Sequence, residues 1–145
     1  MPEKETLERA KEDKEEGKAP STQAGEFVRE EIEHVREGKH GARSAKQAIA
    51  IGLAKARRAG VDLPPPKKGS KKTRQQAAAD LKKGKKKSGK TSAKRSSAAE
   101  RALKREGQSA ASKRALSRQA HSAAKKRSAA SRSQAAKKAA RTRKK

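Results

Sequence analysis

The chain has no cysteine, tryptophan or tyrosine, and its only aromatic residue is Phe27. The absence of cysteine excludes a disulfide scaffold and any thiolate metal site. The near-absence of aromatics leaves nothing for nucleobases to stack on. No apolar run approaches the roughly 18 residues of a membrane span, and the opening stretch MPEKETLERAKEDKEEGK lacks the apolar core of a signal peptide. The chain is therefore expected to stay in the compartment where it is made, with no membrane partner. Hydrophobic residues are 30% of the 145, much of that alanine, while 40% are charged. Most of such a chain buries too little apolar surface to offset the entropy of ordering. A small folded element within a largely disordered or conditionally helical chain is the expectation.

Acidic residues are scarce after residue 38. Residues 1 to 38 hold 7 basic and 12 acidic side chains, and residues 39 to 145 hold 35 and 4, within a formal net charge of +26. An acidic head followed by a long cationic tail points to a polyanionic partner, for which nucleic acid is the most abundant candidate. The acidic head can also fold back on the tail and compete with that partner.

The all-α pattern is local. Residues 3 to 16 read as a solvated helix that Gly17 stops, with Leu7 and Ala10 nearly its only apolar residues. In STQAGEFVREEIEHVREG, Ser21 or Thr22 can cap, and Ala24, Val28, Ile32 and Val35 make one apolar stripe that ends at Gly38. In SAKQAIAIGLAKARRAG, Ser44 caps, Ala45, Ile49, Gly52, Leu53 and Ala56 share a face, and Gly60 stops the helix. These two helices form a predicted hairpin with a core of Phe27, Val28, Ile32, Val35, Ile49, Ile51, Leu53, Val61 and Leu63. Elements of this size usually need a staple or a partner, which leaves two routes open for the hairpin: a homodimer through its apolar face, or full folding only when bound. Pro64, Pro65 and Pro66 then begin a stiff linker.

The domain plan is thus a charged N-terminal segment (1–20), the hairpin (21–63), a Pro/Lys/Gly-rich linker (64–90) and a basic tail (91–145). In the tail a 13-residue repeat starts at Arg101, Arg114 and, more loosely, Arg127. Ala, Lys and Arg favour helix, but like charges at i and i+4 repel. Marginal helices near 72–83, 97–106, 109–126 and 128–140 are expected to firm up when phosphates neutralise them.

Residues 84 to 91, GKKKSGKT, match the phosphate-binding loop G-x-x-x-x-G-K-[ST]. That loop needs a buried strand before it, and QQAAADLKK is not one, so a cationic linker is the reading and no cofactor is expected. His34, with Glu30 four residues before it and Glu37 three after, puts three metal-capable groups on one helical face. A solvated face of mixed charge accounts for the same residues, so no metal is expected. No nucleophile, base and acid are placed for catalysis, and a chain with no cavity cannot easily shift a pKa.

Binding residues are therefore sought among the cations. Around the second hairpin helix these are Lys39, Arg43, Lys46, Lys55, Arg57 and Arg58, suited to phosphates at the helix N-terminus and along its outer side. The linker region offers Lys67, Lys68, Lys71, Lys72, Arg74, Lys82, Lys83, Lys85, Lys86, Lys87 and Lys90. The tail adds Lys94, Arg95, Arg101, Lys104, Arg105, Lys113, Arg114, Arg118, Lys125, Lys126 and Arg127. Arg132, Lys137, Lys138, Arg141, Arg143, Lys144 and Lys145 complete the set. With no reading helix and no stacking residues, binding is expected to be independent of base sequence.

The block STQAGEFVREEIEHVREGKHGARSAKQAIAIGLAKARRAGVDLPPPKKG resembles a group of small bacterial proteins of unassigned function that share a KQAIAIGL-x-KARRAG core and a Lys, Ala and Arg-rich C-terminus. The tail from about residue 67 resembles the tails of bacterial linker-histone-like proteins. The resemblance implies a bacterial cytoplasmic protein with a nucleoid role. Three functions stay open: histone-like DNA binding and compaction, RNA or ribosome association, and a protein-interaction module that the tail merely localises.

Overall fold

The structure, a computed structural model, describes residues 2–86 and 92–144. Among the described residues there is no strand. Seven helices run in order: α1 (Lys4–Glu15), α2 (Pro20–Arg36), α3 (Ala45–Arg58), α4 (Lys71–Lys85), α5 (Ala93–Lys104), α6 (Lys113–Lys125) and α7 (Ala129–Arg143), with a 3-10 turn at Ser109–Ala111 before α6.

Helices α2 and α3 are the predicted hairpin. Ser44 caps α3 by accepting a hydrogen bond from the Gln47 N–H at 3.2 Å, and Gly60 stops it with φ of 102°, a left-handed conformation that favours glycine. The start of α2 differs from expectation: Pro20 occupies its first turn and no side chain caps it. The fixed φ of proline suits that position and removes one N–H that would lack a partner. The two helices approach closely at Gly52, where a Cβ would lie 2.6 Å from Val28 Cα. Backbone cannot yield as a side-chain tip can, so Gly52→Ala is expected to destabilise the chain by roughly 1–3 kcal/mol, read from the midpoint of urea unfolding.

The hairpin is covered by its own chain. Helix α1, expected to be solvated, instead packs on α2 and buries Thr6, Ala10 and Asp13 while Leu7 faces out. One core cluster joins Ala10, Ala24, Phe27, Ala56 and Val61, with Leu53 and Leu63 against it. A second joins Val35, Ala42, Ala48, Ala110 and Ala111, with Ile32 against it. Val28, Ile49 and Ile51, expected in the core, are only half-buried. Helix α1, helix α4 and the 3-10 turn thus supply cover that the hairpin alone lacks.

The expected linker contains a helix. Pro64 to Pro66 are extended, but α4 follows and packs on α3. Asp80 of α4 is buried and accepts a hydrogen bond from Arg58 Nε at 3.1 Å. At Gly84 a Cβ would overlap the Arg57 carbonyl oxygen. The first glycine of GKKKSGKT thus has a packing role, and the stretch before it is helix rather than strand. Residues 87–91 of that motif lie outside the described residues.

The tail expected to be disordered or conditionally helical is helical through most of its described length. Its helices begin where serines cap them. Ser70, Ser92, Ser112 and Ser128 each accept a hydrogen bond from the backbone N–H three residues on, the usual way to satisfy a first-turn donor. The expected segment 109–126 divides at Ser112, whose extended backbone ends the 3-10 turn and starts α6.

Candidate nucleic-acid interface

Two cations expected to meet phosphate point inward instead. Lys55 pairs with Glu31, which is fully buried. Arg57 is buried and donates through Nε and Nη2 to the carbonyls of Leu63 and Pro64, each at 3.1 Å. Removal from water lowers the Arg57 pKa, with Asp80 acting in the other direction. Both side chains tie the end of α3 into the fold, and that removes them from the phosphate-binding set.

Others are exposed but paired. Lys39 reaches Glu3 at 3.1 Å and Glu37 at 3.3 Å, and these partners raise its pKa. Arg58 lies on Asp80, Arg43 is 3.8 Å from Glu106, Lys85 is 3.9 Å from Asp62, and Lys104 is 3.0 Å from Glu100. The hydrogen bond from Lys104 holds the Glu100 carboxyl below its ordinary range. The sequence after the prolines contains three carboxylates, Asp80, Glu100 and Glu106. Each already has a basic partner.

Beyond Glu106 the chain carries cations alone. Residues 107–144 hold twelve Lys and Arg and no Asp or Glu. They lie on α6, on α7, none of whose residues is buried, and on the short stretches beside these helices. Lys46 is also exposed. With Ser44 and Ala45 it forms one wall of a shallow groove whose other wall is Ala115, Arg118, Gln119 and Ser122 of α6. The start of α3, read from sequence as a phosphate dock, thus acquires Arg118 from the tail. Lys87, Lys90 and Lys145 lie outside the described residues.

A separate cluster sits where α2 runs into the loop before α3. His34 Nε2 is 3.0 Å from Glu3 Oε1 and 3.6 Å from Glu30 Oε1. His40 Nε2 is 3.0 Å from Glu31 Oε2. The hydrogen bond from His34, and then that from Lys39, keep the Glu3 carboxyl below the usual carboxylate range. Of the acidic neighbours expected for His34, Glu30 is present, while Glu37 turns to Lys39. Sequence reasoning missed Glu3, Glu31 and His40. Only the i, i+3 spacing of Glu31 and His34 was there to be read.

Residues 11–68 match a protein family described as a family of unknown function (DUF6496). The match runs from α1 through the hairpin and the prolines and stops before α4. No curated protein and no solved structure matches the chain. Among the described residues no helix is long and apolar enough to cross a membrane.

Proposed function

We propose that this chain binds nucleic acid, DNA in preference to RNA, without regard to base sequence, and acts as a histone-like compacting or bridging protein of the bacterial nucleoid. The observation that carries this reading is the run of twelve cations and no carboxylate over residues 107–144, displayed on helices whose cationic side chains are exposed. Lysine and arginine neutralise phosphates, and the interspersed alanines and serines let the helix backbone lie close to the duplex. The Lys46–Arg118 groove gives one phosphate a seat beside the start of α3. Bridging follows from many weak, distributed contacts, because cations on α4, α6 and α7 need not all engage one segment of DNA.

Salt dependence is the direct test. With about ten phosphates neutralised, log K against log salt should have a slope near −9. Changing Lys113, Arg114, Arg118, Lys125, Lys126 and Arg127 together to glutamine should reduce that slope by roughly 5, equally for unrelated DNA sequences. An unchanged slope would move the binding surface off the tail. In a host lysate at about 150 mM salt, where nonspecific contacts are already weakened, DNase alone should release the tagged protein. Release by RNase would make structured RNA the partner.

A further inference from the structure

Phosphate binding leaves the histidine–glutamate cluster unexplained. Glu31 has no exposure to solvent. Lys55 holds Oε1, while Oε2 has no hydrogen-bond partner. What faces Oε2 is His40 Nε2, at 3.0 Å. The other ring nitrogen decides what that contact is. His40 Nδ1 lies 2.9 Å from the Gly41 carbonyl oxygen, which only accepts, so Nδ1 carries a hydrogen and donates it there. Nε2 is then the ring nitrogen that faces the buried carboxylate, 3.0 Å away and without a hydrogen bond between them.

His34 is arranged in the same sense from its own side. Its Nε2 is 3.0 Å from a Glu3 carboxylate oxygen and donates to it, which leaves Nδ1 as the ring nitrogen beside Glu31, 3.9 Å from Oε1. A ring nitrogen of each histidine and a buried carboxylate therefore converge on one place. Donor atoms of Glu31, His34 and His40 all lie within 4.8 Å of one another.

We propose that Glu31, His34 and His40 bind one divalent transition-metal ion of the zinc type. Two imidazoles and one carboxylate select such ions over magnesium or calcium, which prefer all-oxygen sites. Bonds of about 2.0–2.2 Å suit donors as close as His40 and Glu31, and a small turn of the His34 ring brings in the third. The outer shell is already built: His34 leans on a carboxylate and His40 on a backbone carbonyl, the two partners that commonly fix a ligating histidine. Charge supports the same reading. Glu3, Glu30 and Glu31 gather here against Lys39 and Lys55, and Glu30 Oε2 is also buried without a partner. Lys55 keeps Oε1, so the ion engages Oε2, and three protein donors leave a position for water.

The ion would pin the loop between α2 and α3. Gly41 and Ala42 of that loop donate to the carbonyls of Leu103 and Gly107, so the metal fixes the seat on which the tail is mounted.

The full chain, stripped with a chelator, should take up one equivalent of Zn²⁺ in competition with a chromophoric chelator, and excess Mg²⁺ should not displace it. His34→Gln and His40→Gln should each abolish that equivalent, whereas His121→Gln, on an exposed part of α6, should keep it. Glu3→Gln should retain the stoichiometry and weaken affinity by about 10–100-fold. Co²⁺ added to the unsubstituted chain gives a reading that no variant's folding can blur, because a low-coordinate protein site absorbs strongly in the visible. No Zn²⁺ uptake by the stripped chain, equal uptake by a His34→Gln/His40→Gln double variant, or only the weak bands of octahedral Co²⁺ would overturn the proposal.

Discussion

Phe27→Ala is expected to destabilise the chain by about 3–5 kcal/mol, enough to leave so small a fold largely unfolded at growth temperature. The reason lies in its neighbours. Nine of the twelve buried hydrophobic residues are alanines, each of which removes little apolar area from water. Phe27, 1% exposed, is the one large side chain at the meeting point of α1, α2 and α3. Around it stand Ala10, Ala24, Ala56 and Val61. Short side chains held on helix backbones cannot swing into a void, so the cavity should persist and its full penalty should be felt. Urea unfolding followed by far-UV circular dichroism measures the loss. A change within about 0.5 kcal/mol, as for an ordinary surface substitution, would place Phe27 outside the core.

Lys55→Met should be comparably severe, by about 3–5 kcal/mol, for an electrostatic reason. The ammonium is the cation against Glu31 Oε1 from α3, and its loss leaves a fully buried carboxylate short of charge. The companion experiment separates charge from packing. Lys55→Met/Glu31→Leu removes both charges and retains apolar volume, and such exchanges are commonly neutral or stabilising. Most of the single-variant loss should therefore return in the double variant. Unfolding in the presence of a chelator keeps metal occupancy out of the comparison. If the double variant is as unstable as the single, the pair matters for its shape and not for its charge.

The hairpin was legible because its signals are local. Ser44, Gly38 and Gly60 punctuate it, and Ala24, Val35, Ala45, Gly52 and Ala56 repeat at helical spacing on faces that turned out to be buried. The tail was harder to read because its letters mean different things in different places. In the first 13-residue unit, Ser109, Ala110 and Ala111 form a 3-10 turn whose two alanines sink against Val35, Ala42 and Ala48. The same letters in the second unit, Ser122 to Ala124, end an exposed helix. Composition cannot distinguish them. What does is Gly107 between α5 and the turn, together with the hydrogen bond from Ala42 N–H to its carbonyl, a contact across more than sixty residues of sequence.

The buried carboxylates were opaque for a related reason. Glu30 and Glu31 read as part of a charged helix face, and on an isolated α2 they would be. In the folded chain Glu3 donates its backbone N–H to Glu30, and Lys55 and His40 stand against Glu31. Burial of an acid is decided by tertiary neighbours, which spacing along one helix does not encode. The same holds for Arg57, whose carbonyl partners lie in the extended segment after α3. For the cations of α6 and α7 the sequence was a better guide, since exposure is what an unpaired lysine or arginine adopts by default.

Helix α7 buries none of its residues. Its length is consequently free of the geometry that governs the rest of the chain. Adding or deleting basic residues after Arg127 changes the charge the chain presents to solvent without disturbing a side chain in either core cluster. Along this helix, unlike at Lys55 and Arg57, net charge and folding stability are therefore separable, and selection can tune the first without renegotiating the second.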